Sequence, residues 1–377
     1  MLNIAVLGAG MVGSAIAADL SDNYSVTIVD INEDKLLQLK GQYNLKVITC
    51  DISNAKSLKE VIKDFDLIIG AVPGFMGFNT LKTIIEAGKN VVDISFFEED
   101  AFDLDALANS KNVTAVIDCG VAPGLSNIIL GRHNSKMEIN LFECFVGGLP
   151  FKRTLPFQYK APFSPIDVIE EYTRPARIIE NGKLIIKSAL SDPELIDFEP
   201  VGTLEAFNTD GLRSLLNTMK IPNMKEKTLR YPGHVEHIQF LKDAGFFSIE
   251  EIEIEGKKIK PTDFSSKILF PHWKLNPGEP EFTAMIVRIK GLEKSKKIEY
   301  TYKLFDKYDD NKNVTSMSRT TGYTCSSVAR RVLSKDYIRK GISPPEFVGA
   351  DENCFTKIIE DLKIRNIVLQ QNINQAD

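Results

Sequence analysis

The chain opens with an apolar run that leads directly into a glycine-rich turn, Asn3-Ile4-Ala5-Val6-Leu7-Gly8-Ala9-Gly10-Met11-Val12-Gly13. The apolar run is typical of a strand buried on both faces, and the residues after the turn favour a helix. In this context Gly8 permits the tight turn, Gly10 lets the backbone approach a pyrophosphate, and Gly13 lets helix and strand pack closely. The N-terminus of the helix would then bind phosphate. We therefore predict a dinucleotide-binding loop whose cofactor residues are Gly8, Gly10, Met11, Val12 and Gly13.

From this turn to about residue 124, short runs rich in valine and isoleucine alternate with segments of helical spacing. Strict alternation of strand and helix predicts an α/β fold with a doubly wound parallel sheet, a Rossmann domain. The predicted strands are Asn3–Leu7, Ser25–Asp30, Leu45–Asp51, Leu67–Val72, Asn90–Ser95 and Thr114–Gly120. The predicted helices are Val12–Leu20, Glu33–Gln42, Ala55–Lys63, Phe78–Ala87 and Asp103–Ala108, with Asn32 and Ser53 as N-caps of the second and third.

Two aspartates end strands on the adenosine side of this sheet. Asp30 ends the second strand roughly 20 residues after the glycine turn, where a carboxylate accepts hydrogen bonds from both ribose hydroxyls and repels a 2′-phosphate. Ile31 and Asn32 supply no guanidinium for such a phosphate, so the predicted cofactor is NAD. Asp51 ends the third strand, and two alternatives remain open for it: contact with adenine, or a helix cap reinforced by Ser53.

Further candidates follow strands at the expected switch point, where the strand order reverses between the first and fourth strands and ligands bind. Val72 and Pro73 are expected to form an apolar wall under the nicotinamide. Asp93 and Asp118 end the fifth and sixth strands at the same edge. They are candidates for proton transfer, although a single strand-end aspartate more often forms a turn.

The pattern changes after residue 124, where glycine and proline mark a domain boundary. Three hairpins and a strand predict an α+β domain with a mixed or antiparallel sheet, and the helical pattern returns from about residue 320. We expect a Rossmann domain of residues 1–124 plus 320–377, with a substrate-binding and dimerisation domain of residues 125–319 inserted in it. The elements behind this prediction are strand Glu138–Val146, hairpins Ala176–Glu180 with Lys183–Ser188, Glu250–Ile254 with Lys257–Lys260, and Ala284–Lys290 with Lys297–Phe305, and helices Ser326–Leu333 and Glu352–Leu362.

Length and composition narrow the class of protein. The 377 residues suggest two domains at roughly 150 residues each. A net charge of −5 argues against a nucleic-acid partner, and no apolar run reaches membrane-spanning length. The five scattered cysteines are expected to be reduced thiols of a cytoplasmic protein. No metal site is expected, since the stretch from His234 to Ile238 is predicted to be a strand or turn. A homodimer is the default expectation.

The motifs together resemble the saccharopine dehydrogenase-like family over nearly the whole chain, and within it the lysine 6-dehydrogenases. The resemblance rests on Gly8–Gly13 with Asp30, Val92–Ser95, Asp118–Gly124, Val146–Pro150, Glu170–Ala176, Leu204–Gly211 and Thr228–His234. Ala122 stands where glutamate-forming saccharopine dehydrogenases have an aspartate that helps hold saccharopine, and Thr209 stands where they have an arginine. Both departures favour a smaller substrate with one carboxylate fewer.

The resemblance implies an NAD-dependent oxidative deamination, with L-lysine oxidised at its ε-carbon to 2-aminoadipate 6-semialdehyde and ammonia. Arg230 is the leading anchor for the substrate carboxylate, with an interdomain salt bridge as the alternative, and Arg213 is the reserve anchor. His234, expected in a loop, is a candidate base or a structural hydrogen-bonding residue. The side chains that could orient the substrate are Ser95, Thr209 and Tyr231. Three alternatives stay open: a glutamate-forming saccharopine dehydrogenase, a related carboxyamine dehydrogenase, and a non-catalytic NAD-binding sensor.

Overall fold

The computed structural model describes residues 1–162 and 165–375, and the chain divides into two compact units. In chain order the strands are β1 (Asn3–Leu7), β2 (Ser25–Asp30), β3 (Lys46–Thr49), β4 (Leu67–Gly70), β5 (Val91–Asp93), β6 (Thr114–Val116), β7 (Glu138–Pro150), β8 (Ala176–Glu180), β9 (Lys183–Lys187), β10 (Glu194–Phe198), β11 (Gly202–Asn208), β12 (Asn223–Arg230), β13 (Ile252–Ile254), β14 (Lys257–Ile259), β15 (Glu281–Glu293), β16 (Lys296–Lys307), β17 (Gly341–Ser343) and β18 (Leu369–Gln375).

The helices are α1 (Met11–Ser21), α2 (Glu33–Gln42), α3 (Ala55–Ile62), α4 (Gly74–Glu86), α5 (Asp105–Ser110), α6 (Leu125–Asn134), α7 (Pro165–Thr173), α8 (Leu215–Thr218), α9 (His234–Asp243), α10 (Pro261–Trp273), α11 (Ser316–Leu333), α12 (Pro345–Ala350) and α13 (Glu352–Ile364). A short 3-10 turn, Ala101–Leu104, precedes α5. In the described part of the chain no helix is both long and apolar enough to cross a membrane.

The first unit, Met1–Lys136 with Met317–Val368, is a Rossmann domain. Its seven strands are all parallel in the order β17-β6-β5-β4-β1-β2-β3, so the predicted doubly wound sheet and its reversal between β1 and β4 are confirmed. Strand β6 ends earlier than predicted because Asp118 turns the chain with a φ of +50°. The cap of α3 is also different: Asn54, not Ser53, accepts the backbone N–H groups of Lys56 and Ser57.

The second unit, Met137–Ser316 with the chain from Leu369, holds a mixed sheet. Its main path runs β10-β11-β12-β7-β15-β16-β18, and β12 pairs with β7 in parallel while the other neighbours are antiparallel. The three predicted hairpins are present as β8–β9, β13–β14 and β15–β16. Helices α7, α9 and α10 bury an aromatic cluster that includes Tyr172, Phe207 and Trp273.

The limits of the two units differ from the expected boundaries at two places. Helix α6 belongs to the first unit because it packs on α12 at backbone distance: a Cβ on Gly131 would lie 2.0 Å from the Glu346 carbonyl oxygen. Strand β18 belongs to the second unit because it pairs with β16, with Tyr302 opposite Gln371. The end of the chain therefore does not stay with the Rossmann domain.

Candidate functional sites in the two units

The glycine turn before α1 has the close backbone contacts that its sequence predicts. Gly8 has a φ of +106°, and a Cβ there would lie 2.3 Å from the Ala71 carbonyl oxygen. A Cβ on Gly13 would lie 2.1 Å from the Gly8 carbonyl oxygen. Both positions therefore need glycine for the loop to take this conformation without strain.

Gly10 differs, because a Cβ there would meet nothing within 4 Å. Its φ of −64° suits any residue, so neither sterics nor backbone strain explains a glycine at this position. Gly10 is the N-cap of α1 and has no side chain to accept the first N–H groups of the helix. Open space beside uncapped N–H groups fits a pyrophosphate, so Gly10, Met11, Val12 and Gly13 can hold a dinucleotide.

Asp30 lies beside this loop at the end of β2. One carboxylate oxygen accepts the Ala9 N–H at 2.6 Å and the other accepts the Asn32 N–H at 2.9 Å. These bonds fix the carboxylate next to the glycine turn, where a ribose would follow the pyrophosphate. Asp51 instead accepts the N–H and the hydroxyl of Ser53 in a local turn, and these two hydrogen bonds lower its pKa. Asp51 is therefore not the cap of α3, which is Asn54, and its contact with adenine stays a prediction.

The carboxyl end of β4 leads to Val72 and Pro73. Val72 is buried in the core of the first unit, packed in the cluster that contains Leu81 and Phe97. Its side chain therefore exposes little surface, and its contact with a nicotinamide ring stays a prediction. Pro73 is exposed and precedes α4 directly, so it can still contact a ligand at this edge.

Asp93 is fully buried at the end of β5. Its carboxylate accepts the Ser95 N–H at 2.8 Å and the Ser95 hydroxyl at 3.3 Å. Gly70 on the neighbouring strand makes room for it, because a Cβ there would lie 1.8 Å from the Asp93 Oδ2 atom. The structure thus pairs two residues of the predicted site, Asp93 and Ser95, and adds Gly70. Asp118 is also buried, but in a left-handed turn conformation.

A pair of cysteines that the sequence did not single out adjoins Asp93. Burial, hydrogen bonding to Cys119 and the charge of Asp93 together raise the pKa of the Cys325 thiol. Both thiols are free and fully buried, in line with the expectation of reduced cysteines. Cys119 and Cys325 lie far apart in the sequence, and no local pattern indicates that they meet.

In the second unit, Arg230 is buried at the end of β12 and is surrounded by protein groups. It donates to the Glu171 carboxylate at 2.7 Å, to the Tyr172 hydroxyl at 3.2 Å, and to the Tyr159 hydroxyl at 3.3 Å. Its guanidinium carbon also lies 4.2 Å from the centre of the Tyr159 ring. Burial raises the pKa of the Glu171 carboxyl, and Arg230 opposes that shift. The salt bridge lies within one unit, so the interdomain alternative is wrong.

His234 belongs to this network and not to a loop. It is the first residue of α9, which overturns the prediction of a strand or turn over His234 to Ile238. The Phe157 carbonyl 2.9 Å away can only accept, so Nδ1 carries the hydrogen, and Nε2 accepts from the Tyr172 hydroxyl at 2.8 Å. Burial, with the charge of Arg230 second, lowers the pKa of His234 to about 3. The ring is neutral and bonded on both sides.

The other expected substrate groups are also bonded within the second unit. The Tyr231 hydroxyl donates to the Pro150 carbonyl at 2.9 Å. The Thr209 hydroxyl lies 3.0 Å from that of Thr228, and both are buried. Arg213 is half-buried with a φ of +44°. No group of three or more His, Cys, Asp or Glu side chains within residues 1–162 and 165–375 could hold a metal ion.

The comparisons with known proteins agree with this architecture. A model of the saccharopine dehydrogenase NADP binding domain matches residues 4–116, and a model of the saccharopine dehydrogenase C-terminal domain matches residues 120–367. Mitochondrial alpha-aminoadipic semialdehyde synthase of Mus musculus is 23% identical over 264 residues, which cover 66% of this chain and 28% of that protein. The chain thus spans well under half the length of that relative.

Two further similarities extend over most of both partners. Saccharopine dehydrogenase (NADP(+), L-glutamate-forming) of Pyricularia oryzae is 23% identical over 351 residues, or 88% of this chain and 76% of that protein. The structure of apo saccharopine dehydrogenase (L-Glu forming) from Saccharomyces cerevisiae superposes with a TM-score of 0.80 at 18% identity, covering 99% of this chain and 100% of that one. With two family models matched over nearly its whole length, the chain belongs to the saccharopine dehydrogenase family.

Proposed function

We propose that this chain is an NAD-dependent amino-acid dehydrogenase that oxidises L-lysine at its ε-carbon to 2-aminoadipate 6-semialdehyde and ammonia. The observation that carries the substrate choice is Thr209, a buried threonine bonded to Thr228. The resemblance implies an arginine at this position in the glutamate-forming members of the family. The cofactor choice depends on Asp30, and the reaction type on membership of the family.

The segment around Thr209 favours a substrate with one carboxylate fewer than saccharopine. Two cations lie near it, and each is paired with protein groups. Arg177 forms a bidentate pair with Asp210, with both N–O distances at 2.9 Å. Lys227 contacts Glu194 and the Asp192 carbonyl, each at 2.6 Å. A second substrate carboxylate that bound Arg177 or Lys227 would have to displace one of these acceptors, which costs the ion pair that it replaces.

NAD is favoured over NADP by the same geometry that fixes Asp30. Its carboxylate is held beside the glycine loop, and Ile31 next to it is largely exposed and apolar. Lys35, the nearest cation in sequence, lies in the first turn of α2. A 2′-phosphate would therefore face a fixed negative charge with no adjacent guanidinium. Because a relative of this chain is named for NADP, the preference for NAD has to be measured directly.

The carbon that bears the neutral ε-amine loses a hydride and its nitrogen loses a proton, which gives an imine. Water adds to the imine to give a carbinolamine, and loss of ammonia from the carbinolamine gives the aldehyde. Bound NAD supplies the hydride acceptor. Asp93, held by Ser95 at the carboxyl edge of the parallel sheet, and Asp118 are the proposed proton-transfer carboxylates. His234 is proposed to position Tyr172 and not to act as the base, because it is already bonded at both nitrogens.

The test is steady-state formation of reduced cofactor at alkaline pH with lysine, ornithine and saccharopine, each with NAD and NADP. We expect kcat/KM for lysine with NAD to exceed the other combinations at least about tenfold. Asp30→Asn should lower the NAD to NADP ratio by about tenfold, while Asp34→Ala, an exposed acid in the first turn of α2, should leave it unchanged. If only saccharopine were turned over, saccharopine and not lysine would be the substrate. Thermal stabilisation by NAD without any turnover would indicate a binding protein.

A further inference from the structure

Helix α11 returns to the first unit beside α1 and runs in the same direction. A Cβ on Gly322 would lie 3.2 Å from the Ile16 Cγ1 atom and 3.5 Å from the Val12 carbonyl oxygen. Further along α11, Arg330 donates to the Asp19 carboxylate at 2.9 Å, towards the other end of α1. Because both helices rise about 1.5 Å per residue, the residue just before Gly322 lies level with the first turn of α1.

That residue, Thr321, is the place where α11 opens to solvent. Over Ser316–Arg330, a stretch that the structure describes in full, each residue except Thr321 is buried. Met317 and Cys325, one turn before and one turn after it on the same face, are 7% and 0% exposed. A helix on an outer surface exposes a whole stripe of residues, whereas α11 exposes a single position. Solvent therefore reaches Thr321 through a crevice and not across an open face.

The walls of this crevice include the loop that follows β6. A Cβ on Gly120 would lie 3.3 Å from the Thr321 Cγ2 atom and 4.0 Å from the Thr321 hydroxyl oxygen. The Cys119 N–H donates to the Asp93 carbonyl at 2.9 Å, which keeps this loop at the carboxyl end of β5. Thr321 thus lies between the start of α1 and the carboxyl edge of the parallel sheet at β5.

The strand order relates this position to one half of a dinucleotide. Asp30 ends β2, on one side of β1, whereas β5 lies beyond β4 on the other side. Neighbouring strands are about 4.8 Å apart, so the end of β5 is roughly 10 Å from the glycine loop after β1. With adenosine beside Asp30 and pyrophosphate at the start of α1, the nicotinamide riboside extends towards β5. It extends towards Thr321 as well.

The hydroxyl of Thr321 is suited to a ligand contact. Its oxygen lies 3.6 Å from the Met317 sulfur, and a thioether is a weak acceptor. Two other hydroxyls of the same helix, on Thr324 and Ser326, instead donate to backbone carbonyls one turn earlier, at 2.7 Å and 3.0 Å. A hydroxyl both donates and accepts, as do the carboxamide and the ribose hydroxyls of a nicotinamide riboside.

We propose that the Thr321 hydroxyl hydrogen-bonds the nicotinamide riboside of the bound dinucleotide, so that α11 completes the cofactor site that the glycine loop begins. The inference rests on the dinucleotide site of the proposed function, but not on the choice of lysine as substrate. It does not depend on the choice of NAD over NADP either, because both cofactors carry the same nicotinamide riboside.

The first test is isothermal titration calorimetry of the full chain with NAD, with NADP and with ADP, which lacks the nicotinamide riboside. Thr321→Val keeps the shape of the side chain and removes its hydroxyl. It should raise the Kd for NAD and for NADP by the same factor, at least about fivefold, and leave the Kd for ADP unchanged. Thr321→Ser keeps the hydroxyl and should bind all three ligands with wild-type affinity.

Thr83→Val is the matched control. Thr83 lies in α4 of the same unit, and its hydroxyl donates to the Asn79 carbonyl at 2.8 Å. The substitution removes a threonine hydroxyl away from the crevice and should leave all three dissociation constants unchanged. Thr321→Val should also melt within about 2 °C of the wild type without ligand, since its side chain keeps its volume.

The second test measures access to position 321 directly. Thr321→Cys in a Cys50→Ser background introduces one accessible thiol, because the other natural cysteines are buried. A maleimide should modify this thiol, and saturating NAD or NADP should slow the modification at least about tenfold. Saturating ADP should leave the rate unchanged. The Cys50→Ser parent should stay unmodified on the same timescale.

Several outcomes would overturn the proposal. They are wild-type affinity for NAD and NADP in Thr321→Val, an equal loss of affinity for ADP, and the same loss of NAD affinity in Thr83→Val. Protection of the Thr321→Cys thiol by ADP as strong as that by NAD would overturn it too. A wild type that bound none of the three ligands would overturn this proposal and the proposed function together. Because binding needs no substrate, absence of lysine turnover would overturn the proposed function alone.

Discussion

The imidazole of His234 is held at both nitrogens, by the Phe157 carbonyl and by the Tyr172 hydroxyl. A pKa of about 3 keeps it neutral wherever a dehydrogenase works. Tyr172 in turn accepts from Arg230, so a single chain of hydrogen bonds runs from guanidinium to phenol to imidazole to backbone. For Arg230 to hold a substrate carboxylate, that carboxylate would have to take the place of Glu171.

Acid should destabilise the second unit through His234. An exposed imidazole has a pKa of about 6.5, so below that pH the unfolded chain takes up a proton that the folded chain refuses. The free energy of unfolding should therefore fall as the pH falls from about 6.5 to about 3, by up to about 1.4 kcal/mol per pH unit. His234→Gln should reduce this slope, measured by urea unfolding, while His133 in the first unit, whose pKa burial also lowers to about 3, keeps its own contribution. The chain's single tryptophan, Trp273, lies in the same cluster and reports on it.

His237→Gln is the control, one turn along α9 and exposed. It should keep the wild-type dependence of stability on pH. If His234→Gln and the wild type lost stability equally on acidification, the neutral, doubly bonded imidazole would be the wrong description.

At the scale of elements, α1 and α9 show how glycine sets a helix start for different reasons. Gly233 precedes α9 with a φ of +90°, which turns the chain so that His234 enters the buried network. Val235 and Ile238 in this stretch indicated a strand or turn, which is wrong, because their spacing of three residues suits one face of a helix. Before α1, Gly8 and Gly13 are required by packing, while Gly10 has no such constraint.

The glycine loop yields a prediction that separates folding from binding. Gly10→Ala should leave the melting temperature without cofactor unchanged, because its Cβ meets nothing within 4 Å. It should weaken NAD binding at least about tenfold, since the methyl group occupies the space proposed for the pyrophosphate. Gly8→Ala should instead lower the melting temperature through its clash with the Ala71 carbonyl. Thermal shift with and without NAD measures both effects.

Gly41→Ala in α2 controls for the loss of a glycine, since a Cβ there also meets nothing within 4 Å. It should leave the affinity for NAD unchanged, and it should not lower the melting temperature. If Gly10→Ala bound NAD with wild-type affinity, the pyrophosphate would not lie beside Gly10.

Across the whole molecule, distant segments complete each unit. Asp19 near the end of α1 is largely buried and pairs with Arg330 on α11 and with Arg365 just after α13, more than 300 residues later in the chain. Helix α11 also approaches the first turns of α1, where a Cβ on Gly322 would lie 3.2 Å from Ile16. Helix α1 is thus held in place by the second segment of the first unit, Met317–Val368.

Asp19→Ala should therefore destabilise the first unit strongly. It leaves two arginines without their shared carboxylate, and breaking a buried pair on one side costs about 3 kcal/mol or more. Chemical unfolding followed by circular dichroism measures the loss. Asp22→Ala, exposed at the end of the same helix, should change stability by less than about 0.5 kcal/mol. Equal effects of the two substitutions would show that the buried arginine pairs contribute no more than a surface charge.

The sequence by itself determined the Rossmann domain, the three hairpins and the positions of the dinucleotide loop and Asp30. These features depend on local periodicity, turn chemistry and glycine spacing, all of which act over a few residues. Only the tertiary structure decided that Arg230 pairs with Glu171, that His234 is neutral, that Cys119 adjoins Cys325, and that β18 leaves the Rossmann domain. Those facts depend on burial and on which distant segments meet, and neither is encoded in the local pattern around any one residue.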